Sequence, residues 1–279
     1  MSTPIGLSKG LVSKATVLMK QPLFANAGYL MGVSMVGPGM GFVFWWLAAR
    51  FYSPENLGTA SAVWAALMLV SGIAGLGLDK GIVRFLPRSE SPHRLLNTAL
   101  TFSALAALAT GGIYVAGLAV WSPSLAPLLQ HNGCYILLFL GIAINETLRT
   151  IIRMSFVAHR KAQYTLLQVS ISNASRLALV AVLAGLGAAG LVGSMAFASL
   201  LALAVGWLSF LSKAQPGYRI YLSLSWPHLR VLIPYSIGNH LANASRRMGW
   251  NVTICDLDPA ALQRTREEIY PMRYGQWDE

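Results

Sequence analysis

Four stretches of this chain, residues 27–49, 56–78, 95–121 and 188–211, each run for more than twenty positions without a charged side chain. About 20 apolar residues, at 1.5 Å rise each, cross a bilayer core of about 30 Å, so each stretch is long enough to span it. Two further stretches, 134–157 and 164–185, match that length but carry charge: Glu146, Arg149 and Arg153 in one, Arg176 in the other. No turn signal accompanies those charges, and both are assigned as spans. Composition agrees, because 55% of the 279 residues are apolar and only 11% charged. A soluble domain has about a quarter charged. The balance excludes a disordered chain and argues against a water-soluble globule. The expected fold is an all-α integral membrane protein, a bundle of six transmembrane helices.

The connections test that count. Lys9, Lys14 and Lys20 precede the first span, and only Arg50 follows it. Lys80, Arg84, Arg88 and Arg94 follow the second, whereas segment 122–133 after the third holds no Lys or Arg. Arg160 and Lys161 follow the fourth, the 186–187 link has neither type, and Lys213, Arg219 and Arg230 follow the sixth. Dense and sparse alternate at every crossing, which the positive-inside rule reads as six helices with both ends cytoplasmic. The formal charge of +11 is then a topological signal, not the footprint of a nucleic-acid binder. Residues 1–249 carry +14 and residues 250–279 carry −3. Trp45, Trp46, Trp121, Tyr135, Tyr164 and Trp207 fall near the expected interfaces, where amphipathic rings are best placed. Residues 1–26 are no cleavable signal. Leu11, Val12, Ala15, Leu18 and Met19 share a helical face opposite Lys9 and Lys20, giving either a short helix on the inner leaflet or a loose basic tail.

A charge at mid-bilayer costs about 2.5–3.5 kcal/mol on insertion scales, so ionisable residues there are functional candidates. Counted from the cytoplasmic ends of their spans, Glu146 and Arg176 both lie about 16–18 Å deep, on consecutive antiparallel helices where they could pair. Glu146, Arg149 and Arg153 recur at i, i+3 and i+7, on one helical face, and Asn145, Gln168 and Asn173 add polar groups. Two readings stand. One is a cationic, water-filled cavity that receives an anionic head group on Arg149, Arg153, Arg176, Glu146, Asn145 and Asn173. The other is an internal ion pair with arginines that snorkel to the leaflet surface. Gly37-Pro38-Gly39 predicts a kink in the first span. Ala189, Gly190, Gly193 and Ser194 predict a close helix contact in the sixth.

Other chemistries find no support. Cys134 and Cys255 make no disulfide framework, and no His/Cys cluster predicts a metal. His93, His131, His159, His228 and His240 all lie outside the six spans, so a Ser–His intramembrane hydrolase lacks its base. No phosphate-binding G-x-x-x-x-G-K-[ST] loop occurs. The N-x-[ST] triplets at Asn173, Asn243 and Asn251 are read as chance matches, since the first sits inside a span. No enzymatic activity is expected.

Four motifs stand in order against these helices: Ala49-Arg50-Phe51-Tyr52-Ser53-Pro54-Glu55-Asn56-Leu57-Gly58, Gly75-Leu76-Gly77-Leu78-Asp79-Lys80-Gly81-Ile82-Val83-Arg84-Phe85-Leu86-Pro87, Ala158-His159-Arg160-Lys161-Ala162-Gln163-Tyr164, and Leu232-Ile233-Pro234-Tyr235-Ser236-Ile237-Gly238-Asn239. Over about residues 20–243 the chain resembles the O-antigen and exopolysaccharide flippases of the multidrug/oligosaccharidyl-lipid/polysaccharide exporter superfamily. The resemblance implies flipping of a polyprenyl-pyrophosphate-linked oligosaccharide across a bacterial inner membrane by alternating access, between two six-helix lobes around a central cavity. It implies membrane lipids as partners and no cofactor. Asp79 and Arg84 match a motif and are expected to shape the cytoplasmic loop. Arg149, Arg153 and Arg176 match none. Their depth and charge make them the pyrophosphate candidates, since a guanidinium fork can take phosphate oxygens in pairs.

Residues 227–244 read as the opening of a seventh helix, after which polar residues take over. The expected organisation is a basic N-terminus over 1–26, one transmembrane lobe over 27–211, a cytoplasmic loop and helix start over 212–244, and a truncated tail over 245–279. Within the tail, Trp250-Asn251-Val252-Thr253-Ile254-Cys255-Asp256-Leu257-Asp258-Pro259 resembles the second strand of a Rossmann unit in NAD-dependent sugar oxidoreductases, with Asp256 in the place of the ribose-binding acid. The glycine fingerprint would fall on 233–238, where only Gly238 survives, so Asp256 is vestigial and no dinucleotide is expected to bind. Segment 236–243 fits both patterns, as a junction between two genes would; a native tail is the other reading. The expected function is lipid-linked oligosaccharide transport by a truncated flippase that needs a second lobe or a homodimer. The alternatives are a membrane-tethered NAD-dependent sugar oxidoreductase fragment and an inactive membrane scaffold.

Overall fold

A computed structural model describes residues 22–126 and 133–247. The basic segment before Pro22, the connection at 127–132 and the tail with Asp256 lie outside these residues. Among the described residues there are helices and turns and no strand. The main helices are α1 (Pro22–Phe51), α2 (Pro54–Ala74), α3 (Leu78–Phe85), α4 (Pro92–Ala116), α5 (Gly133–Ala158), α6 (Ala162–Val182), α7 (Gly187–Val205) and α8 (Trp226–Arg247). All but α3 and α8 supply spans long and apolar enough to cross a membrane; the sixth covers Ala184–Ala214, taking in the π-helical turn Gly206–Leu211 after α7. The described residues form an all-α bundle with six such helices. The described residues through Ile237 form one compact unit.

Boundaries move where glycine intervenes. The second span ends at Ala74 and not at 78, because Leu76 and Gly77 turn with φ of 44° and 73°. Gly77 takes that left-handed conformation without steric cost, and Leu78 restarts the chain as α3. The third span ends at Ala116, where Gly117 separates α4 from the short turn Leu118–Trp121. Gly37-Pro38-Gly39, by contrast, stays inside one continuous α1.

Local polar contacts set the helix ends. Ser53 accepts the Asn56 N–H at 3.4 Å, with Pro54 opening α2, which satisfies one of the amides a helix start leaves over. At that same bundle end the Tyr52 hydroxyl donates to the Val180 carbonyl at 2.9 Å, and Asn56 Oδ1 accepts the Ala188 N–H at 3.1 Å. At the opposite end Asn26 Oδ1 of α1 accepts the Ala162 N–H at 2.9 Å and so caps α6. The helix order therefore puts connections 52–53, 117–122 and 183–186 on one face, and 75–91, 159–161 and 215–225 on the other.

The core lies in three clusters. Leu78, Ile82, Leu96, Ile152, Phe156 and Leu211 pack where α3 covers the bundle end. Val63, Leu67, Phe139 and Ile142 join α2 to α5, while Phe44, Ala60, Val180, Leu191 and Met195 join α1, α2, α6 and α7. Met35, Phe42, Leu137, Val182 and Leu208 point outward and exposed. In water that would be costly; in lipid it is the ordinary exterior, since tails solvate apolar side chains and every span satisfies its own backbone.

Two devices organise the face that carries 75–91. Gly81 of α3 lies against α8: a Cβ there would stand 2.7 Å from Ser236 Oγ and 3.0 Å from Leu232 Cδ2. Arg84 lies over the Tyr235 ring at 4.7 Å, and Phe85 meets that ring edge-on. The second and fourth sequence motifs thus dock on one another. Next to them a non-helical strap, 218–225, runs along the first turns of α4. The Tyr218 hydroxyl donates to Asn97 Oδ1 at 2.5 Å, and Asn97 Nδ2 donates to the Arg219 carbonyl at 2.9 Å. Burial holds the Tyr218 phenol above its ordinary range, so it stays a protonated donor.

Two outcomes follow from this architecture. In a background with Cys134 and Cys255 replaced by Ser, an impermeant thiol reagent should modify Glu90→Cys and Lys161→Cys from one side of sealed vesicles and Ser122→Cys from the other. Gly81→Val should cost about 1–3 kcal/mol by overpacking α3 against α8, read as a lowered thermal midpoint in detergent. Gly58→Ala, whose Cβ enters open space, should leave that midpoint near the parent value by comparison.

Candidate functional site

Within the bundle, α1, α2, α5, α6 and α7 line a partly open cavity of about 190 Å³. Its lining includes Glu146, Arg149 and Arg153 of α5, Ser172, Asn173 and Arg176 of α6, Ser199 of α7 and Trp64 of α2. The i, i+3, i+7 face of α5 therefore does turn inward, and Arg176 faces it from the next helix. Measured along the helices from the 159–161 connection, the ionisable groups form a ladder. Arg153 lies about 8 Å in, Arg149 about 14 Å, Glu146 about 18 Å and Arg176 about 21 Å.

Glu146 is the single acid in this lining, and it is 3% exposed. Its Oε2 accepts from Arg149 Nη2 at 2.5 Å, and its Oε1 accepts from the Ser199 hydroxyl. Ser199 in turn accepts from Asn145 Nδ2 at 2.6 Å. Glu146 and Arg176, which could have paired from consecutive helices, do not; the ion pair is Glu146–Arg149. The carboxylate is already held on both oxygens by its own helix and by α7, and Arg176 sits over the Phe44 ring at 4.9 Å. A Cβ on Gly41 would stand 3.3 Å from Arg176 Nη2, so the absent side chain leaves the guanidinium its place against α1. Small residues have this use in membranes, where close backbone approach substitutes for the hydrophobic drive available in water.

Arg149, Arg153 and Arg176 each keep a buried Nε–H without a hydrogen-bond partner. Three guanidinium groups thus share one carboxylate, leaving a surplus of positive charge and spare donors around a small void. A low-dielectric surround strengthens the attraction of such a site for an anion. An oxyanion with several acceptor oxygens would take up those donors in pairs.

The remaining candidates separate. Asn173 lines the cavity, although its Nδ2 donates to the Val169 carbonyl of its own helix at 2.7 Å. Asn145 does not line it and acts behind it, on Ser199. Asp79 and Arg84 lie on α3 and do not line the cavity; Asp79 meets Lys80 at 3.4 Å. Ser199 and Trp64 were not legible in advance, because a lone hydroxyl or indole inside a charge-free span looks like packing, and Ser172 was passed over beside Asn173 and Arg176. A larger cavity of about 650 Å³ opens between α2 and α4, but Ala62, Leu69, Ile73, Ile113 and Trp121 line it and no charged group does. It is a lipid-like surface rather than a polar site. Among the described residues no group of His, Cys, Asp or Glu could hold a metal ion.

Removing the shared carboxylate tests the arrangement. Glu146→Ala should cost about 3 kcal/mol or more, since it leaves buried cations without their counter-charge. Glu146→Gln, which retains an acceptor for Ser199, should cost less, and chemical denaturation in detergent distinguishes the two.

The sequence pattern of the family described as "Polysaccharide biosynthesis protein" matches residues 23–239. That stretch covers all six spans and the four motifs. No curated protein and no solved structure matches the chain.

Proposed function

The chain belongs to the polysaccharide biosynthesis protein family, and from that membership we propose that it carries a lipid-linked oligosaccharide across the bilayer. The observation that supports this is the ladder of Arg153, Arg149 and Arg176 around a single buried carboxylate. A lipid-linked sugar crosses with its diphosphate as the most costly group to desolvate, and paired guanidinium donors at successive depths lower that cost. The ladder begins at the face richest in Lys and Arg, which by the positive-inside rule is the cytoplasmic one. The substrate enters there as a polyprenyl-pyrophosphate-linked oligosaccharide and leaves on the far side of a bacterial inner membrane. No bond is made or broken in the substrate, and no cofactor is needed.

The cavity of about 190 Å³ suits a phosphate-bearing group rather than a whole glycan. The glycan needs a wider space, formed between this six-helix body and a second one. Alternating access then consists of the two bodies rocking about the anion.

Glycan export in a complemented strain tests the proposal. Arg149→Ala, Arg153→Ala and Arg176→Ala should each lower export about tenfold or more, the loss expected for a charge-assisted hydrogen bond. Lys replacements should restore part of it by keeping the charge without the fork. An inactive scaffold predicts unchanged export for all three alanine variants at equal protein level, and that result would end the transport proposal.

A further inference from the structure

The strap that joins the sixth span to α8 has an unusual exterior. Ile220, Leu222, Leu224 and Trp226 are exposed at every second position, Leu222 at 90% and Trp226 at 70%. Between them Ser223 and Ser225 turn inward onto α4. Ser223 Oγ meets Thr98 Oγ1 at 3.1 Å, the Ser223 N–H donates to Thr101 Oγ1 at 3.3 Å and the Ser225 N–H to Thr98 Oγ1 at 3.4 Å. A segment with polar groups turned in and large apolar groups turned out is arranged for lipid, not for water.

Its depth agrees. Asn97 and Thr101, which hold the strap, lie about 8 and 14 Å along α4 from its start. With 25 residues, α4 is about 37 Å long, some 7 Å more than the hydrocarbon core it crosses. The strap therefore starts near the boundary between head groups and acyl chains and runs on among the acyl chains, not out into solvent. Non-helical backbone at that depth needs polar partners, and α4 supplies them to the Arg219 carbonyl and to the Ser223 and Ser225 N–H groups. An apolar groove of about 490 Å³ runs between strap and span, lined by Phe102, Leu105, Ala106, Ala109, Leu224 and Trp226. It is continuous with the lipid-facing side of α4, where Leu105 and Leu108 are exposed. Arg94 in the first turn of α4, Arg219 in the strap and Arg230 in the first turns of α8 are all exposed, with Glu90 the nearest acid in sequence to Arg94 and no acid from Thr147 to Cys255.

We propose that residues 218–226 are a lipid-binding strap, with Ile220, Leu222, Leu224 and Trp226 among the acyl chains and Arg219 and Arg230 on anionic lipid head groups. The strap anchors the start of α8 to the leaflet, on the face where α3 and α8 dock. This role does not depend on what the arginine cavity carries.

A nitroxide at Leu222→Cys, or in a second variant at Leu224→Cys, tests the strap in the full chain with both native cysteines replaced by Ser. The protein is reconstituted in vesicles of phosphatidylcholine, with or without phosphatidylglycerol. Collision with oxygen should exceed collision with a water-soluble nickel chelate in both vesicles, and more so with phosphatidylglycerol. That added difference should vanish in Arg219→Gln/Arg230→Gln. Each arginine is expected to favour the anionic lipid roughly fivefold, as for a basic residue at a charged leaflet. Nickel contact equal to oxygen contact would place the strap in water and overturn the proposal. A label reached by neither agent would mean that polypeptide covers it, which also overturns it. A depth indifferent to phosphatidylglycerol would remove the head-group assignment.

Discussion

Inside this bundle one carboxylate is held among three guanidinium groups, and the arrangement of the neighbouring helices follows from satisfying it. Glu146 takes a hydrogen bond from Arg149 one turn along and another from Ser199 of α7, which draws α5 and α7 together about a polar contact. Arg176 then has no acid to meet and rests on an aromatic face of α1, where Gly41 makes room. In hydrocarbon an unpaired charge is costly, so the surplus of cations is tolerable only if their remaining donors meet water or an anion. Stability and function pull in different directions at this point: the bundle would be firmer with a second acid, and an anion site would be weaker.

The two faces of the bundle differ in construction. One has tight corners at 52–53 and 183–186, with Tyr52 and Asn56 bonded across to Val180 and Ala188. The other is broad, basic and assembled from elements outside the spans: α3, the strap and the start of α8. There Gly81, Arg84 and Phe85 meet Leu232, Tyr235 and Ser236.

Much of this was legible from the chain as written. Spans of 23 to 27 residues without charge, separated by connections that are basic in alternation, leave few other folds open. The inward face of α5 was legible too, because Glu146, Arg149 and Arg153 repeat at helical spacing. The ends of spans were less so: Leu76 and Gly77 look apolar and helical in sequence, yet they turn, since α3 must bend over the bundle to bury Leu78 and Ile82. Asn145 looked equivalent to Asn173, yet only the latter lines the cavity. Adjacent helical positions lie about 100° apart around the axis, so a difference of one residue decides which side a polar group serves.

By itself, then, the order of residues determined how many times the chain crosses lipid and which connections carry its basic charge. Both depend on quantities summed along the backbone, apolar length and local charge, which need no partner to be evaluated. Which arginine meets Glu146, which serine supports it and where the strap finds its hydrogen bonds were decided only in three dimensions. Those depend on how each helix is rotated about its axis and how closely it approaches its neighbours, and small residues on other helices set that approach.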